Sequence, residues 1–144
     1  MIKPIYNWDE VSGTASCILI YDQKQFVGVA KCHPDDKDMM NANTGYEIAT
    51  RRASLQAYRY HRDILESQLQ ALNQLYYSMN KSKKFNSKSY ENRMLQRQIR
   101  MINFDLITTK EMIASEEQSL RAYIKSKDVF YVQTRKRRQK ANNH

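Results

Sequence analysis

From Tyr46 to His144 the chain contains neither glycine nor proline. All three glycines (Gly13, Gly28, Gly45) and both prolines (Pro4, Pro34) lie before that stretch. These two residue types break helices most strongly. Their absence from 99 consecutive residues rich in Leu, Ile, Met, Gln, Arg and Lys predicts very long helices. Two long helices do not enclose a deep cleft by themselves. They form a rod with faces, and function has to be read from what each face carries.

The segment 4–32 reads differently. Thr14 to Tyr21 (TASCILIY) and Gln25 to Lys31 (QFVGVAK) are β-branched and aromatic runs joined by the polar Asp22-Gln23-Lys24. That is the pattern of a β-hairpin. Ile5 to Trp8 can add a short strand before a turn at Gly13. A two-stranded hairpin is marginal alone, so the sheet has to pack on the helices or on a second copy. A polar loop follows over 33–44. Thr44-Gly45-Tyr46-Glu47 matches the capping-box pattern, which places a first helix over 45–79. The polar, basic segment 80–86 (NKSKKFN) interrupts it. Asn86 or Ser87 can cap a second helix over 87–127. The fold class is thus α+β, a small N-terminal antiparallel sheet followed by a long antiparallel helical hairpin, in one domain over 1–132. The remainder, 133–144, reads as a basic tail of the disordered, solubilising kind.

Heptad spacing defines the seam. Helix 1 offers Ile48, Leu55, Arg62, Leu69, Tyr76 and Arg51, Tyr58, Leu65, Leu72, Met79. Helix 2 offers Leu95, Ile102, Thr109, Glu116, Tyr123 and Ile99, Leu106, Ile113, Leu120. Folding about Phe85 sets residue i of helix 1 opposite roughly residue 170 − i of helix 2. The loop half of this seam is apolar. The far half brings Arg51 and Arg62 near Glu116 and Thr109, either as an ion pair that fixes register or as an arginine site. A second apolar stripe (Met94, Met101, Phe104, Met112; Tyr60, Ile64, Leu75) has no partner in the hairpin, which predicts a helix-mediated dimer.

The formal net charge is +9. Residues 1–44 carry four bases and six acids, 45–132 fifteen and nine, and 133–144 five and none. Basic faces draw nucleic acids, nucleotides or anionic surfaces. No run approaches the length of a membrane span, and the N-terminus lacks the apolar core of a signal peptide. A soluble cytosolic protein with no membrane partner is expected. Cys17 and Cys32 form no CxxC pair and read as reduced core residues, so no structural metal is expected.

Catalytic signatures are missing. There is no Walker loop, GxGxxG, HExxH or GxSxG, and His33, His61 and His144 show no partner spacing. No catalytic residue and no cofactor are assigned. Anion-binding chemistry remains. Tyr76, Tyr77, Phe85 and Tyr90 interleave with Asn80, Lys81, Lys83, Lys84, Asn86, Asn92, Arg93 and Arg97. Rings stack on bases, amides read their edges, and Arg and Lys hold phosphates. The same composition also describes an ordinary basic helix with a polar loop.

Four segments, VGVAKCHPDDKDM, NTGYEIATRRA, LNQLYYSMNKSKKFN and SYENRMLQRQIRMINFD, resemble a phage anti-defence family, the first-described type of anti-Thoeris sponge. The resemblance covers residues 4–130. It implies a small sheet followed by long helices, a dimer formed through them, and hexamers built as trimers of dimers. It implies a ligand-sequestering protein in the cytoplasm of the infected host, not an enzyme. Members bind glycocyclic ADP-ribose made by TIR-domain enzymes, and some also hold CBASS cyclic oligonucleotides at separate sites. By this likeness Phe85 would stack on the adenine. Asn92, Arg93 and Arg97 would come from the start of helix 2, and Arg51 and Arg52 from the RRA segment; Tyr77 and Tyr90, read above as rings around the loop, complete the expected ligand-binding set. Nucleic acid is the disfavoured alternative partner: a basic helical module would bind it, or a nucleoprotein effector, with strong salt dependence.

Overall fold

A computed structural model describes residues 3–32, 41–81 and 89–142. It contains a three-stranded antiparallel sheet followed by two long helices. The strands are β1 (Ile5–Asp9), β2 (Thr14–Tyr21) and β3 (Lys24–Lys31), in the order β1-β2-β3. The helices are α1 (Ala42–Lys81) and α2 (Tyr90–Asn142). The α+β class and the order of elements are those the sequence predicts. The chain divides into two compact units, one formed by 1–57 with 115–144 and one by 58–114.

In the first unit, tight local chemistry sets the strand order. The β2–β3 turn is only Asp22-Gln23, not three residues, and both have positive φ (52° and 61°). Two left-handed residues make the turn whose twist matches a two-residue hairpin. The β1–β2 turn ends on Gly13 (φ 66°), whose N–H donates to the Asp9 carbonyl at 2.9 Å. The Asp9 carboxylate accepts the Val11 N–H at 3.0 Å. Register then follows: Cys17 sits between Tyr6 and Gly28, and Ala15 between Trp8 and Ala30.

The inner face of the sheet is built from small residues. Ala15, Cys17 and Ala30 are buried against Ala49 and Ala53 of α1, with Trp8, Leu19, Tyr46 and Ile48 around them. Gly28 sets how close the helix comes. A methyl group there would run into the Ala49 carbonyl oxygen and the Ala53 nitrogen. Gly45, inside α1, likewise lies against Ala15 and Trp8. A glycine is tolerated in that helix because close contact with the sheet offsets its poor propensity.

The helix ends depart from the expected bounds. The start of α1 is set by Asn41, whose Oδ1 accepts the Asn43 N–H at 2.9 Å, not by a capping box at Thr44. Thr44 lies inside the first turns, and Glu47 pairs instead with Arg51 at 2.9 Å. Ser89 caps α2, its Oγ accepting the Asn92 N–H at 3.2 Å, while Asn86 and Ser87 lie outside the described residues. The expected ends at 79 and 127 are passed by both helices. Through 133–142 no Gly or Pro stops α2, and Lys140 in its last turn suits the negative end of a helix dipole.

The seam positions are buried or half-buried at all nineteen residues of the four heptad series. In the unit 58–114, Leu65, Leu95, Leu106 and Ile113 are the buried apolar residues among those described. Gln96 Nε2 donates to the Tyr76 hydroxyl at 3.1 Å, and Lys110 meets Glu66 at 3.4 Å. As one helix ascends in number the other descends, which is the antiparallel arrangement.

Candidate functional site

The predicted site residues fall into two groups, one in each unit. Arg51 and Arg52 belong to the sheet unit. Arg51 is held on several sides: Nε donates to Glu47, Nη1 donates to Ser119 Oγ at 2.9 Å, and the guanidinium lies 5.3 Å from the Tyr123 ring centre. Lys127 approaches the same ring at 5.4 Å. Ser119 and Tyr123, not Glu116, are therefore the residues of α2 that Arg51 touches. Arg62, in the other unit, pairs with its neighbour Asp63 at 3.1 Å. Thr109 is buried and donates to the Asp105 carbonyl at 2.7 Å within its own helix.

Arg52 has a different task. Its Nη1 donates to the Val29 carbonyl at 2.6 Å, and one turn later Gln56 Nε2 donates to the Val27 carbonyl at 2.8 Å. Both acceptors lie on β3, the outer strand. Two side chains of α1 thus occupy backbone acceptors on a sheet edge.

Tyr77, Tyr90, Asn92, Arg93 and Arg97 belong to the helical unit 58–114. Tyr77 and Tyr90 are 63 % and 65 % exposed. Large rings in water near the end of α1 and at the start of α2 are available for stacking. Lys81 lies over the Tyr77 ring at 4.5 Å, which adds a cation at that face. Phe85 lies outside the described residues. Asn92 is fully buried in the first turn of α2, so its side chain belongs to the interior of the helical unit. Its exposed neighbours Arg93 and Arg97 stand one turn apart on α2.

Beyond them the row continues. Arg97, Arg100, Met101, Phe104 and Asp105 line an open groove of about 290 Å³. Phe104 and Met101 are exposed members of the second stripe. A second groove of about 440 Å³ is lined by Glu66, Leu69, Gln70, Asn73, Gln74, Tyr77 and Leu106. The amides Gln70, Asn73 and Gln74 were not singled out from the sequence. Their signal is the three- and four-residue spacing that runs on to Tyr77. Ring faces, amides and guanidinium groups within one unit can stack on a base, read its edge and hold a phosphate.

No group of three His, Cys, Asp or Glu side chains is placed to hold a metal among the described residues. Among the same residues no helix is long and apolar enough to cross a membrane. No protein-family model, curated protein or solved structure matches the chain.

Proposed function

We propose that this protein captures cyclic nucleotide immune signals, glycocyclic ADP-ribose first among them, and holds them without cleaving them. Its place of action is then the cytoplasm of a bacterium infected by phage, where removing the signal silences the defence. The observation that carries the proposal is the set of exposed rings and guanidinium groups in the helical unit. Tyr77 and Tyr90 offer ring faces, Arg93, Arg97 and Arg100 offer charge, and Phe104 adds a further exposed ring. That combination suits an adenine joined to a pyrophosphate.

Each groove of one chain is open on its outer side, and capture with slow release requires enclosure. A second copy docking on the exposed stripe Leu75, Met101, Phe104 and Met112 supplies the missing wall. Dimers, and hexamers made from them, are the form in which the site is complete.

A thermal-shift screen with cyclic ADP-ribose isomers and cyclic oligonucleotides tests the proposal. A ligand at about 100 times its Kd stabilises the fold by ~2.7 kcal/mol. A saturable shift is expected with at least one cyclic ADP-ribose isomer, and it is lost in Arg97→Glu. No shift with any isomer, together with DNA or RNA binding that collapses as salt rises, would replace signal capture by nucleic-acid binding.

A further inference from the structure

The outer face of the sheet is unusual for an antiparallel sheet packed on one side. Such a sheet ordinarily turns polar residues to water. Here Ile5, Ile18, Ile20, Val27 and Val29 alternate with the buried inner residues and so point away from α1. Four of them are between 41 % and 54 % exposed, and Ile18, on the central strand, is half-buried by its neighbours.

The β3 edge, by contrast, is partly covered, and β1 is short. Arg52 and Gln56 occupy the Val29 and Val27 carbonyls of β3. At the other edge β1 is five residues long and follows Pro4, which has no N–H to offer. Both are devices that stop a further strand from adding. Association along the β3 edge is hindered, while the face is left open.

We infer that this face binds the same face of a second copy, by a twofold axis running along β2. Register decides the axis. Across the sheet the outward rows are Ile5–Ile18–Val27, Asn7–Ser16–Val29 and Asp9–Thr14–Lys31. Rotation about β2 lays β1 of one copy over β3 of the other. Ile5 then meets Val27, and Asp9 meets Lys31 at both ends of the last row. Thr14, Ser16, Ile18 and Ile20 each meet their own counterpart on the axis. An axis across the strands would instead set Lys31 over Gln25 and Val29 over Val27. The two faces would pack about 10 Å apart, as stacked sheets do.

The face is small. Three strands about 4.8 Å apart and roughly 20 Å long offer on the order of 300 Å² per copy. A stand-alone interface needs about 800 Å² per partner. The contact therefore forms at high concentration, or between assemblies already held together elsewhere, where linkage raises the effective concentration. It does not depend on the ligand assigned above.

The test uses full-length protein with Cys32→Ser, so that only buried Cys17 remains of the native thiols. Ser16→Cys places a thiol on the predicted axis, and Asn7→Cys places one on the same face but off it. With a short bis-maleimide cross-linker, which spans facing thiols that a disulfide is too short to join across stacked sheets, Ser16→Cys is expected to give cross-linked dimers in at least tenfold greater yield than Asn7→Cys. Adding Val27→Glu or Lys31→Glu to Ser16→Cys should cut that yield several-fold, with helix content by circular dichroism confirming folding. Equal yields from the two cysteines, no dimer at millimolar protein, or a yield unmoved by Val27→Glu would each overturn the proposal.

Discussion

Gln23 sits at φ 61° beside Asp22 at φ 52°. A left-handed backbone costs a residue with a Cβ roughly 1 to 2 kcal/mol, while Asn, Asp and Gly tolerate it best. Gln23→Gly is therefore expected to stabilise the protein, by about 1 kcal/mol in chemical denaturation, with the strands unchanged. Gly28 behaves in the opposite sense. Its Cβ would strike main chain of α1, which cannot rotate away as a side chain can. Gly28→Ala should destabilise by about 1 to 3 kcal/mol, the range for overpacking, and near-neutral behaviour would show that α1 does not rest on β3 as described. The sequence makes the hairpin legible through its alternating β-branched runs. It does not make this contact legible. A search for large apolar residues passes over Ala49, Ala53 and Gly28, yet small residues bring a helix onto a sheet most closely. Asn92 is a similar case. An amide near a basic loop suggests a base-reading group, and only packing reveals that it is buried.

Helices are the elements the sequence announces most clearly, and their ends are the least clear. The heptad series place nineteen residues on the seam, and burial agrees at every one. Hydrophobic periodicity is a long signal that many residues repeat. A cap is one hydrogen bond, and several Ser, Thr or Asn residues near a boundary compete to make it. Thr44 with Glu47 has the better motif, but Asn41 makes the bond. Asn41→Ala is expected to cost about 1 kcal/mol, and Thr44→Ala much less. The reverse order would return the start of α1 to the capping box. The pairing of Arg52 with β3 was not readable either, because it depends on which way one turn of α1 faces the sheet. Removing that cover with Arg52→Ala and Gln56→Ala should raise concentration-dependent aggregation, seen by light scattering, more than it lowers the melting temperature.

At the scale of the whole molecule, the formal charge of +9 suits the anionic ligand proposed above. What the sequence could show of the site was its ingredients: exposed tyrosines, a basic row on one helix face, and an unpartnered apolar stripe. The groove that Leu69 and Leu106 line arises from the spacing of two helices, and neither groove was legible residue by residue. Charge reversal at the row, Arg93→Glu with Arg97→Glu, should abolish ligand binding while leaving the melting temperature within a few degrees, since both side chains lie in water. The most direct measurement incubates the protein with glycocyclic ADP-ribose, removes unbound ligand, denatures the protein by heat and identifies what is released by mass spectrometry. Recovery of intact ligand in fixed proportion to protein, at any incubation time, is the predicted result. Progressive conversion of the ligand, or none retained, would contradict it.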